Sequence, residues 1–192
     1  MTAPTTVTGS VNVTTGWSVS QTVTGSTPST NSGSYLKNNK TTVSGNASGQ
    51  IDTLYQTILS LNASSSTTLI LTTAGGGSLK DLLGNTISFT RVKYLVLWLL
   101  ATGDTGPDNS TTGTACTNVT IGGAGTHPAF EGASKFWSAG ATLEVWNGFP
   151  FVIGNLNTTG CAITSTTDQF LIVNADSVNA AALVVTIGGT VD

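Results

Sequence analysis

Charge is what this sequence has least of. Asp, Glu, Lys and Arg make up 8% of its 192 residues and leave a net charge of −3. A soluble globular domain usually carries about 25%. The chain also has one His, two Cys, one Met and five Pro. These shortages exclude whole classes of function. A protein that binds nucleic acid by neutralising phosphates needs clustered cations, so no nucleic-acid partner is expected. With so few acids and bases, no nucleophile–base pair can be assembled, and neither an enzyme, a catalytic residue nor a cofactor is expected. The longest apolar run, Tyr94 to Ala101, is eight residues, too short for a membrane span. The opening MTAPTTVTGS has neither a basic segment nor an apolar one, so no secretory signal is read there. Disorder is excluded by the opposite argument, since 39% of the residues are hydrophobic and the net charge is small.

What is present in excess is hydroxyl and glycine: 36 Thr, 20 Ser and 23 Gly. With Val, Ile and Leu as the apolar residues, that is the composition of an all-β protein. Turn residues punctuate short apolar runs at intervals of about 8–12 residues, the rhythm of a sandwich. The expected fold is a single β-sandwich, Ig-like or jelly-roll-like, over 51–192, with an extended β-arm over 1–50. Strands are expected near 67–73, 85–90, 92–100, 116–121, 134–137, 141–146, 149–153, 161–165, 168–174 and 181–187. Residues 51–61 have both helical spacing and β-branched content and are read as a strand. Ser78 to Leu83, closed by Gly84, reads as a short helix with a serine N-cap.

The arm has its own pattern. Val7, Val11, Val13, Trp17, Val19 and Val23 all fall at odd positions. Period-2 alternation over 17 residues marks a strand with one apolar face. The segment 26–34 reads as a turn or linker.

Few residues are candidates for chemistry. Cys116 and Cys161, 45 residues apart in polar β-like contexts, are either a disulfide between neighbouring strands or two buried thiols. The lone His127 reads as a loop residue. Asp104, Asp108 and Asn109 offer oxygen ligands, but their spacing matches no calcium loop, and turn chemistry accounts for them equally well. No metal is expected. Gly75–Gly77 and Gly122–Gly123 have no Lys-Ser/Thr partner and read as turns. Seven glycosylation sequons begin at Asn12, Asn39, Asn46, Asn62, Asn109, Asn118 and Asn157, so glycan attachment is an open option. Trp17, Trp98, Trp137 and Trp146 could stack on a sugar. Trp98 reads as core, and Trp137 and Trp146 as core or subunit interface.

The strings QIDTLYQTILSL, LKDLLGNTISFTRVKYLVL, ATLEVWNGFPFVI and TTDQFLIVN with ALVVTIGG resemble a group of small bacterial and phage-type β-sandwich structural proteins. The resemblance covers about residues 50–192 and implies a role in virion or surface structure. The arm resembles, in pattern, the donor strands of pilus-type subunits. That implies a homopolymer outside the cell, in which one copy's strand completes another's sheet. A phage virion decoration or capsid-associated protein and a carbohydrate-binding module are the alternatives.

Overall fold

The computed structural model describes residues 8–21 and 29–42, as backbone, together with 51, 53–81, 84–122, 128–131, 136, 138–154 and 160–191. Among these residues every regular element is a strand. They are β1 (Thr8–Gln21), β2 (Ser29–Thr42), β3 (Thr53–Leu61), β4 (Ser65–Ile70), β5 (Arg91–Leu99), β6 (Asn118–Gly122), β7 (Thr142–Trp146), β8 (Pro150–Gly154), β9 (Cys161–Ala162), β10 (Gln169–Asn174) and β11 (Ala181–Thr190).

Two antiparallel sheets pack face to face. One has the order β3-β11-β5-β8, with β9 also on β5, and the other β4-β10-β6-β7. Pairings of β3 with β11, β4 with β10, β5 with β8 and β6 with β7 are nested, as in one long hairpin of eight segments. Rolling that hairpin brings β11 onto β5 and β10 onto β6. This is the order of a jelly roll, not the four-plus-three order of an immunoglobulin domain.

The period-2 rule places the core. Leu95, Leu97 and Leu99 of β5 pair with Ile187, Val185 and Leu183 of β11, and all six have zero exposure. Val119, Ile121, Phe170 and Ile172 meet them from the other sheet. Each fully buried Leu or Ile contributes roughly 2 kcal/mol. Phe130 closes the layer, edge-on to Phe170 at 5.0 Å and stacked on Phe136 at 5.4 Å.

The run 94–100 is apolar on both faces because both are covered. On the outer face, Leu100, Ala182 and Val184 form a second cluster with Ile58 and Trp98. The loop 102–113 lies over it. A methyl group added at Gly106 would stand 2.6 Å from the Ile58 Cδ1.

Several expectations are corrected. The N-terminal segment is not a lone strand. Positions 29–34, read as linker, begin β2, which pairs with β1 over fourteen residues from Thr8↔Thr42 to Gln21↔Ser29. Backbone pairing decides this, because β2 has no apolar periodicity to announce it. The helix at 78–83 is absent over its described part. Lys80 instead bridges Thr86. Asp81 accepts the Asn85 N–H at 2.7 Å, and Gly84 sits at φ 86, so the chain turns back. A bridge at Thr86 also replaces the strand expected over 85–90. Of 134–137, Phe136 and no other residue is described, and it lies outside any strand.

Candidate functional site

No chemical centre emerges from the sequence candidates. Asp108 binds its own turn: it accepts from Ser110 and Thr111 through both backbone and side-chain donors, at 2.6–3.1 Å. Those bonds, the Thr111 hydroxyl first, hold its carboxyl well below the usual carboxylate range. Asp104 caps Ala101 N–H at 2.8 Å. Among the described residues no group of three or more His, Cys, Asp or Glu is placed to hold a metal ion. Gly75–Gly77 form a turn in which Gly75 and Gly77 have no room for a side chain and Gly76 sits at φ 90. A methyl group at Gly75 would lie 1.8 Å from the Asp168 Oδ2, the atom that accepts the Thr72 hydroxyl at 2.6 Å. His127, Trp137, Asn46 and Asn157 lie outside the described residues, as do Val7, Val23 and Gly123.

Cys116 and Cys161 are both buried thiols, and the bridge between them is not made. Cys161 pairs with Val92 at the start of β5. The Cys116 carbonyl accepts from Asn147 at 3.0 Å, and Asn147 bridges Leu99 at the end of β5. Seven residues of strand separate those anchors, about 23 Å, whereas a disulfide needs Cα atoms within about 7 Å. Each thiol has its own acceptors: Asn118 O and Asn174 Oδ1 for Cys116, and Ala129 O for Cys161. Burial pushes the Cys116 thiol up.

Asn174 was not singled out from sequence. It is fully buried and joins three turns. Its amide donates to Asn62 O at 3.0 Å, Asn179 O at 2.9 Å and Leu61 O at 3.4 Å. Its carbonyl oxygen accepts from Asp176 N–H and Cys116. A signal was available, since Asn174 continues the inward series Phe170, Ile172 along β10.

Among the described residues, what remains open is the sheet edges. β3 and β4 are the end strands of their sheets and are joined by three residues, so they form one side of the sandwich. β7 and β8 are joined by Asn147–Phe149 and form the other. The two sides differ. At the first, the inward Tyr55, Leu61 and Leu69 are buried and Leu59 is half-buried, and no large apolar side chain described there is exposed. At the second, the inward Leu143, Phe151 and Ile153 are half-buried though packed on the core. Beside them Trp146, Phe149 and Val152 are exposed by 55%, 74% and 40%. The Asn147–Gly148 turn, tied to Thr117 O and Leu99 O at 2.9 Å each, projects Phe149 outward. A cavity of about 380 Å³ opens there between the two strands, with Glu144, Trp146, Phe149 and Phe151 in its wall. Trp146 is therefore a surface residue, while Trp98 is largely covered on the outer face of its sheet.

The hairpin β1–β2 is a sheet of its own and pairs with no strand of the sandwich. Val11, Val13, Trp17 and Val19 share one face of β1, opposite Asn39, Lys37, Gly33 and Asn31. Of the sequons, Asn12 and Asn39 lie on this hairpin, Asn62 and Asn109 are exposed, and Asn118 is half-buried opposite Trp146.

No family model and no curated protein matches the chain. A solved structure described as "Bacillus endospore appendages form a novel family of disulfide-linked pili" is similar to it over 79% of this chain and 100% of that one, at 15% identity and a TM-score of 0.28. A likeness of that size bears on neither fold nor function.

Proposed function

We propose that this chain is a structural subunit that assembles with copies of itself into an extracellular filament, and that it has no enzymatic role. The N-terminal hairpin adds its β1 strand to the sheet of a neighbouring copy. One observation carries this reading. Among the described residues, a two-stranded hairpin with an apolar row is paired into neither sheet of a sandwich whose sheets both end in open strands. An isolated hairpin is marginal in water, and a free sheet edge is a template for another strand. Arm and edge belong to different surfaces of the same molecule, so the contact is heterologous. Unless the rotation happens to close, such contacts propagate into a filament. The low charge suits this role, because copies packed side by side bring few like charges together.

Removing residues 1–25 tests the reading. The full chain is expected to form filaments visible by electron microscopy, and the shortened chain to remain monomeric. Normal filaments without the arm would sink it. The jelly-roll strand order favours one other reading, a phage virion protein docked on a shell, because capsid subunits use this order. That is fold analogy alone, and closed shells in the same micrographs would select it.

A further inference from the structure

We propose that the groove between β7 and β8 is the acceptor for the arm of a second copy, whose β1 strand pairs with the free edge of β8. This rests on the reading that copies assemble through the arm. Four observations converge on this groove.

The first is unfinished burial. On the β3–β4 side Tyr55, Leu61 and Leu69 are buried and Leu59 half-buried, and among the described residues no large apolar side chain is exposed there, so a strand added there would cover less apolar surface. At β8 the inward Phe151 and Ile153 are half-buried, with the exposed Phe149 and Trp146 beside them. Contiguous exposed apolar residues of this kind mark interaction sites. The second is periodicity. Phe151 and Ile153 are two residues apart on one face of β8, and Val11 and Val13, then Trp17 and Val19, are two apart on one face of β1. An added strand would continue the core layer by one row and leave its Ser/Thr/Asn face to solvent. Third, β1 has a second edge that, among the described residues, pairs with no strand. β2 occupies one side of it, so the hairpin can add whole, without unzipping. The fourth is charge. Residues 1–50 hold Lys37 and Lys40 and no acid, while all nine acidic residues lie in 51–192. The groove wall presents the exposed carboxylate of Glu144, and β1 itself is uncharged.

Edge lysines block strand addition while leaving a sandwich intact. Val152→Lys places one on the exposed outer face of β8, and Ser60→Lys places one on β3. Assembly is read by sedimentation and electron microscopy, with thermal melting to confirm folding. Val152→Lys is expected to raise the half-assembly concentration at least about tenfold, and Ser60→Lys to assemble as the unmodified chain does. Phe149→Ser, outside the strand, is expected to weaken assembly in the same direction and keeps the test decisive if the lysine variant misfolds. Mixing Val152→Lys chains, which keep the arm, with chains lacking 1–25, which keep the groove, should give a one-to-one pair that grows no further. If Ser60→Lys blocks assembly and Val152→Lys does not, the groove assignment falls and the arm reading stands. If the mixture gives no pair, the second copy is not the occupant. If chains lacking 1–25 assemble normally, the arm reading itself fails.

Discussion

At the scale of single residues, the groups that matter most are polar and buried. Asn174 makes five hydrogen bonds from a site with no solvent. Replacing it by Ala would take the donor from the Asn179 carbonyl and the acceptor from the Asp176 N–H. The cost of such unsatisfied groups is roughly 3 kcal/mol, so Asn174→Ala should lower Tm by about 6–12 °C in a melting experiment. Its neighbour Asp176 sets an acid dependence. The Asn179 and Val178 N–H groups, with the Asn179 side chain, hold its carboxyl below its ordinary 3.8. The folded value is the lower one, so its contribution is full above about pH 4 and is lost as pH falls through the folded value. Asp176→Asn should therefore lose less Tm between about pH 4 and pH 2 than the unmodified chain does, as melting across that range would show. Composition pointed away from charge chemistry; Asp104, Asp108 and Asp176 accept bonds within their own turns, while Glu144 is exposed on β7. What composition could not give is which amide serves as the buried joint, because that depends on which turns meet.

At the scale of elements, legibility tracked side-chain periodicity. The β1 alternation and the run at β5 were readable because each repeats every second residue. β2 was not, since its pairing with β1 rests on backbone groups that every residue carries. The 78–83 segment misled for a related reason: Ser78 and Gly84 are helix signals, but the Asp81 side chain supplies the bond that a helical turn would have made. Gly188 and Gly189 lie beyond the strand expected near 181–187. They continue the strand to Thr190 instead, and the register against β5 shifts between them. Gly188 makes room for the Tyr94 ring. A Cβ there would lie 2.0 Å from the Tyr94 Cε1. Gly188→Ala should thus displace the ring and cost roughly 2–3 kcal/mol. Tyr94→Ala in the same chain should recover part of that loss, a non-additivity that a double-mutant melting cycle measures. Burial pushes the Tyr94 hydroxyl up to about 12 from 10. Its contribution is present below about pH 10 and lost as pH rises towards 12.

At the scale of the whole molecule, the strand order was the hidden quantity. β10 pairs with β4 at a separation of about a hundred residues, and local pattern carries no information on partners so distant. The two cysteines show the consequence. Their similar β-like contexts suggested neighbouring strands, but the rolled hairpin sends one to each end of β5. The fold therefore owes nothing to a cross-link, and its stability should not depend on redox conditions. A bridge over a loop of this length would add about 4 kcal/mol in the loop-entropy picture, so its presence would be obvious. Melting with and without reductant should give Tm values within about 2 °C, where a bridge would shift them by about 8–16 °C. A thiol-reactive dye should label two cysteines per chain in denaturant and react far more slowly with the folded protein, because both sulfurs are buried against backbone and side-chain acceptors. A large drop in Tm on reduction, or no thiols released on unfolding, would overturn the separation of the two cysteines and the strand order that produces it.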